Sequence, residues 1–217
     1  MEKETKKAGR RHSEGPLWQI RRAIKKLHSL WLVWTYPFAS VGSRFSAHPS
    51  CDLRRSIAGY IRIGDNVVID RMARVDVVIP PDHDDPVVII GDGCVLGQRA
   101  TVTAKNNIYI GAHTILGPSV FITDHNHACG DPSVPIKEQG TTDGGTVRIE
   151  DGCWIGFGAA IIAEGGELVV GRNCVIGSNV VLTKSVPPYS IVATAPGRVV
   201  KHLDPATLQW TIGSPKN

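Results

Sequence analysis

The chain has 217 residues, 42% hydrophobic and 20% charged, an ordinary balance for one main globular body with an appendage. Its net charge of +4 is lopsided: residues 1–28 hold nine Lys/Arg against three Glu, which leaves the remainder slightly acidic and argues against a nucleic-acid surface on the body. No run has the uninterrupted apolar length of a membrane span. The five cysteines form no CxxC pair, so common zinc and redox spacings are excluded and a reduced, cytoplasmic setting is the simplest expectation.

Residues 1–15 read as a disordered basic tail. Residues 16–59 read as a helical segment and lead-in. Within it Leu17, Ile20, Ile24, Leu27, Trp31 and Trp34 recur at helical spacing among arginines and lysines. The interrupting cations are unlike the apolar core of a secretory leader. This stripe is expected to pack on the body or on a neighbouring subunit. Peripheral contact of residues 17–34 with the inner face of an anionic membrane is the alternative.

From Tyr60 to about residue 190 the period is six. Ile63, Ile69 and Val75 are six apart, as are Ile90, Leu96 and Val102, and Ile110, Leu116 and Ile122. Ile149, Ile155 and Ile161 follow, then Val170, Ile176 and Leu182. Gly often comes directly after the aliphatic residue, and a small residue such as Ala73, Cys94, Ala100, Cys153, Ala159 or Cys174 stands four places on. A six-residue period is not helical. It suits a short strand and a tight turn, with the aliphatic side chain inward and the small one at a corner. Three such units make a triangular coil, and stacked coils share strand hydrogen bonds as solenoids do. Five triplets predict about five coils after an irregular lead-in. Residues 191–217 read as a closing segment.

The period breaks twice. Val75 to Ile90 contains a small loop with Pro80, Pro81, Asp82, His83, Asp84 and Asp85, and His83 is a weak candidate to reach a neighbour's cleft. Ile122 to Ile149 leaves a long excursion over 123–147 that opens with Thr123-Asp124-His125-Asn126-His127. Long excursions from a rigid scaffold usually carry function. A histidine there suits a general base, and a neighbouring carboxylate suits orienting an imidazole or binding an acceptor. The chain has no Gly-x-Ser-x-Gly elbow, so a serine nucleophile is not expected.

The phased repeat over residues 60–201 resembles the hexapeptide-repeat acyltransferases, whose all-β fold is a left-handed parallel β-helix, an exception to the usual crossover hand. The excursion's opening is similar to the active-site segment of the maltose, galactoside and polysaccharide O-acetyltransferases. The resemblance implies acetyl transfer from acetyl-CoA to a sugar or glycan hydroxyl, with no metal required. It places the catalytic base on His125, with His127 in reserve and Asp124 beside it. Cys153–Ala160 resembles the coil along which the pantetheine arm lies, so Gly158, Ala159 and Ala160 become donor-side candidates through their backbone amides. Lys184-Ser185-Val186-Pro187-Pro188 through Pro196-Gly197-Arg198 resembles the family's closing segment. There Lys184 and Arg198 are candidates for the CoA phosphates, with Lys201 a weaker one. Ala193-Thr194-Ala195 departs from the usual Ala-Gly-Asn, which changes the adenine contacts. Members are typically homotrimers with sites between subunits.

Three rivals share the fold pattern. A sugar-amine N-acetyltransferase would use the same base. A γ-type carbonic anhydrase needs three histidines on a metal, and no clear third ligand follows His125 and His127. A non-catalytic scaffold would not need the excursion.

Overall fold

A computed structural model describes residues 16–78, 83–193, 198–204 and 207–212; the predicted tail at 1–15 and the prolines of the small loop lie outside the described residues. The chain opens with helix α1 (Pro16–Thr35). Eighteen short strands then wind into six triangular coils. The first is β1 (Ser40–Val41), β2 (Ser46–Ala47) and β3 (Asp52–Leu53). The second is β4 (Ile61–Ile63), β5 (Val68–Ile69) and β6 (Arg74–Val77), and the third β7 (Val88–Ile90), β8 (Val95–Leu96) and β9 (Thr101–Ala104). The fourth is β10 (Asn107–Ile110), β11 (Ile115–Leu116) and β12 (Phe121–Thr123). The fifth is β13 (Gly145–Ile149), β14 (Trp154–Ile155) and β15 (Ala160–Ile162), and the sixth β16 (Gly166–Val170), β17 (Val175–Ile176) and β18 (Val181–Leu182).

Equivalent strands of successive coils pair in parallel, so the prism has three faces. Sheet A holds β1, β4, β7, β10, β13 and β16; sheet C holds β3, β6, β9, β12, β15 and β18. Sheet B runs from β2 through β17 and continues into β19 (Ser190–Ala193), β20 (Arg198–Asp204) and β21 (Gln209–Ile212), the last two antiparallel. This antiparallel run closes the stack beyond the last coil.

The fifteen phased aliphatic residues behave as the period requires. Every one is at most 5% exposed. Each buried aliphatic side chain contributes about 1.5–3 kcal/mol, so a continuous inward column of them is the main stabilising term. Cys94, Cys153 and Cys174 stack in the same column of corner fillers, and burial pushes their thiols up to about 11, 12 and 11. They serve packing, not thiolate chemistry. The corners need left-handed backbone: Asn66 (φ 56), Asn173 (φ 53) and Asn179 (φ 58) supply it, as does Gly158 (φ 65), where a Cβ would stand 2.5 Å from the Asn179 side chain of the next coil.

Two expectations are corrected. The lead-in is itself a coil, so the stack starts at Ser40 and has six coils. Its inward Ala47 and Leu53 are six apart, but one is small and the phase before it is weak. Helix α1 does not pack its apolar stripe on the body. It buries Ser29 and Leu32 instead, while Ile20, Ile24, Leu27, Trp31 and Trp34 are all at least half exposed. The face of α1 against β2 is fixed by Ser29, whose hydroxyl accepts the Ala47 amide at 2.9 Å and donates to the Lys25 carbonyl at 2.7 Å. Leu17's side chain lies outside the described residues.

Candidate active site

At the end of β12 the chain reaches the corner where it would turn onto sheet A, and there it leaves the prism. Asp124 takes the first position outside. Its carboxylate accepts the backbone amides of Lys105 (2.8 Å to Oδ1), Asn106 (2.8 Å to Oδ2) and Asn107 (2.9 Å to Oδ2), the corner of the coil below. Its side chain is fully buried. The coil amides thus gain an acceptor that the departing strand no longer supplies.

His125 follows. Its Nδ1 lies 2.9 Å from Asp124 Oδ1. A carboxylate can only accept, so Nδ1 carries the hydrogen and Nε2 presents its lone pair. Thr123 Oγ1 lies 3.3 Å from the same Nδ1 and donates to the His125 carbonyl at 2.9 Å. The imidazole is therefore gripped on one edge, with its side chain only 9% exposed.

The excursion closes on its own neck. The Thr142 amide donates to the Asn126 carbonyl (2.8 Å), the Ala128 amide to Gly140 (3.0 Å), and His127 bridges Thr141. Asn106 Nδ2 ties the returning strand through the Asp143 and Gly145 carbonyls at 2.8 and 3.0 Å. Gly144 has φ 72, and a Cβ there would stand 2.3 Å from the Asp124 carbonyl and 3.0 Å from His125 Cβ. Only glycine fits so close behind the imidazole.

His125 lines a cavity of about 500 Å³ on the outer face of sheet C, with Thr101, Thr103, Phe121, Thr123, Asn126 and His127. Arg54, Arg74 and Asp76 form its far wall. Asp76 is 5% exposed and hydrogen-bonds both guanidiniums, which are about half exposed. Burial alone would raise its carboxyl, but the Arg54 and Arg74 hydrogen bonds outweigh it and hold the group below the ordinary carboxylate range.

The predicted residues divide. Asp124 and His125 come together as a hydrogen-bonded pair. His127 is exposed on the cavity wall beside them. Gly158, Ala159 and Ala160 turn the corner from β14 to β15, but their amides already donate to Pro118 (3.0 Å), Gly156 (3.2 Å) and Val180 (2.8 Å). In the single chain the stack thus engages all three of those N–H groups. Ala160 still belongs to the outward row Arg74–Thr101–Phe121–Ala160–Val181, which carries the cavity floor toward the last coil as a strip of small and apolar side chains. Ala159 points inward and is fully buried. Lys184 and Lys201 are exposed, His83 is exposed, and the Arg198 side chain lies outside the described residues. Among the described residues no group of three or more His, Cys, Asp or Glu is placed to hold a metal.

Arg54, Arg74, Asp76, Thr101, Thr103 and Thr123 escaped the sequence reading. The period marks inward positions, and these residues occupy outward ones on either side of the inward Val75, Val102 and Ile122 or, for Arg54, just after Leu53. A row of charged and hydroxyl residues at positions flanking one aliphatic column was the available signal.

The hexapeptide repeat of succinyl-transferase matches residues 87–123 and 146–184, the third to sixth coils. A probable acetyltransferase of Mycobacterium tuberculosis is 35% identical over 112 residues, 52% of this chain and 36% of that protein. A candidate lipopolysaccharide-biosynthesis O-acetyl transferase of Escherichia coli is 24% identical over 158 residues, 70% of this chain and 76% of its own length. Among solved structures, a variant of AntD, an N-acyltransferase from Bacillus cereus in complex with dTDP-4-amino-4,6-dideoxyglucose and coenzyme A, superposes with a TM-score of 0.65. That match is 16% identical and covers 87% of this chain and 90% of AntD, which is a likeness of fold. The chain spans only about a third of the mycobacterial relative.

Proposed function

We propose that the chain, a left-handed parallel β-helix whose third to sixth coils match the hexapeptide repeat and whose relatives are acetyltransferases, moves the acetyl group of acetyl-CoA to a hydroxyl of a sugar or glycan. One observation carries this reading: an imidazole whose Nδ1 is committed to Asp124, at the wall of a cavity lined by hydroxyls and two arginines. His125 Nε2 takes the proton of the acceptor hydroxyl as its oxygen attacks the thioester carbonyl carbon. Asp124 holds the ring in the tautomer that leaves Nε2 free and stabilises the imidazolium that forms. When the tetrahedral intermediate collapses, the carbon–sulfur bond breaks and the CoA thiolate recovers the proton from His125. Both substrates meet in one complex, so no acyl-enzyme is needed; the buried cysteine thiols fit this, since burial holds them up at about 11 to 12.

The strip from Phe121 through Ala160 to Val181 fits the pantetheine arm. Gly158 and Ala159 serve it by keeping the corner low, not by donating amides. Lys184, Lys201 and Arg198 are the cations for the CoA phosphates. His127 and Asp76 with its arginines face the acceptor. A dependence on acetyl-CoA supports a cytoplasmic setting. The relatives favour polysaccharide or glycolipid biosynthesis as the setting.

The working unit is a homotrimer with sites between subunits. Its support is the outer face of sheet B, where Val68, Val95, Ile115, Trp154, Val175 and Ile191 stack as an apolar ladder through successive coils. Trp154 is 55% exposed and Ile115 47% in the single chain. A second copy covering them removes this apolar area from water.

Thiol release from acetyl-CoA, measured with a panel of sugars, amino sugars and lipid-linked glycans, tests the reading. Hydroxyl acceptors should turn over, and His125→Ala should lower turnover by about a thousandfold with the fold intact. Undiminished turnover in that variant removes His125 from the mechanism. Turnover of amino sugars alone moves the chain to N-acetylation with the same base, in keeping with the name of AntD as an N-acyltransferase.

A further inference from the structure

Helix α1 is inside out for a helix that only packs on its own body. Its buried residues are Ser29 and Leu32, and its apolar side faces away. Ile20, Ile24, Leu27, Trp31 and Trp34 are 54%, 50%, 67%, 51% and 91% exposed. Their spacing of four, three, four and three residues puts them on one face. The helix has no Asp or Glu, but it has Arg21, Arg22, Lys25 and Lys26 around its middle.

A second feature lies on the body side of the helix. Between α1 and the corners of the first two coils lies an open cavity of about 630 Å³ whose walls are Trp18, Arg21, Arg22, Lys25, His48 and Arg71. Arg22 stacks 5.4 Å over the Trp18 ring. Among the described residues, Asp70 opposes Lys25, Arg71 and His28 around His48. Four permanent cations around a cleft on the body side of α1, and an outward apolar face that ends in Trp31 and Trp34, match a layer that offers phosphate above hydrocarbon.

We propose that α1 lies in the interface of an anionic phospholipid bilayer. The Ile20–Trp34 face enters the acyl boundary, and Arg21, Arg22, Lys25 and Arg71 surround headgroup phosphates. No helix among the described residues is long and apolar enough to cross the bilayer, so the contact is peripheral. Pairing of α1 with its copy in another subunit would supply no helix acid to offset its cations; an anionic lipid surface offsets them directly. The inference does not depend on the catalytic reading, since it uses only α1 and the first two coils.

The test is flotation of the full chain with phosphatidylcholine vesicles, with and without phosphatidylglycerol. Binding is expected only with phosphatidylglycerol, with a blue shift of tryptophan emission, quenching by brominated acyl chains and loss on adding salt. Arg21→Ala and Lys25→Ala should each weaken partitioning about fivefold, and Leu27→Glu by about tenfold or more, with circular dichroism unchanged. A wild-type chain indifferent to phosphatidylglycerol overturns the proposal. So does a Leu27→Glu variant that breaks an oligomer in sedimentation yet keeps vesicle binding, because the apolar face then belongs to a subunit contact.

Discussion

Sheets B and C are built by one repeat and share their inward columns, yet they turn opposite chemistry outward. Sheet B shows a ladder from Val68 to Ile191 in which every rung is apolar. Sheet C shows Arg74 and Asp76, then Thr101 and Thr103, then Phe121 and Thr123, where β12 leads into Asp124 and His125 before the row runs on to Ala160 and Val181. The inward side chains decide that a prism forms. The outward ones are free of that duty, so one face can carry chemistry while another carries assembly.

That contrast can be broken at its strongest point first. Asp124→Asn keeps the acceptor for the coil amides on one atom but offers His125 an amide in place of a carboxylate. The ring loses its fixed tautomer, and turnover should fall by a hundredfold or more with KM for acetyl-CoA little changed. Steady-state kinetics check it, and unchanged turnover would mean the pair is structural. On sheet B, Trp154→Glu puts a charge on the middle of the ladder. Sedimentation should show the trimer falling to smaller species, and chemical denaturation of the monomer should move by less than about 1 kcal/mol. A wild-type monomer would refute the assembly itself.

The smallest effect lies at Asp76. Its folded carboxyl titrates below the unfolded value because Arg54 and Arg74 donate to it. The stability it contributes is therefore present above the unfolded value near 4 and is lost as pH falls through the folded one. Asp76→Asn should lower thermal stability at neutral pH by about 1–3 kcal/mol and narrow the gap from wild type in acid. Melting curves across pH follow this, and a gap that stays constant would assign the loss to packing alone.

The prism was legible because burial writes itself into a period. Fifteen inward positions are Ile, Leu or Val, and the corner fillers keep their phase. The first coil was not, since Ala47 fills its inward place with too small a side chain to stand out. At the site, His125 was legible from the break in phase and the resemblance there. Its grip was not: the three amides that hold Asp124 come from residues 105–107, and backbone donors leave no mark on residue type. The bonding of the amides of residues 158–160 was illegible for a like reason, as only register and turn geometry show which carbonyls accept them. Helix α1 showed a stripe, but periodicity says which residues share a face and not which way that face turns.

The excursion's neck has an evolutionary consequence. Because hydrogen bonds between residues 126–128 and 140–142 close it, and β12 and β13 re-enter the stack in register with β9 and β10, the residues beyond the neck touch no coil-to-coil pairing. They form a cassette that can be lengthened, shortened or exchanged while the imidazole and its carboxylate stay where the prism puts them. None of the walls of the His125 cavity comes from residues 129–139, so a change of length there leaves those walls as they are.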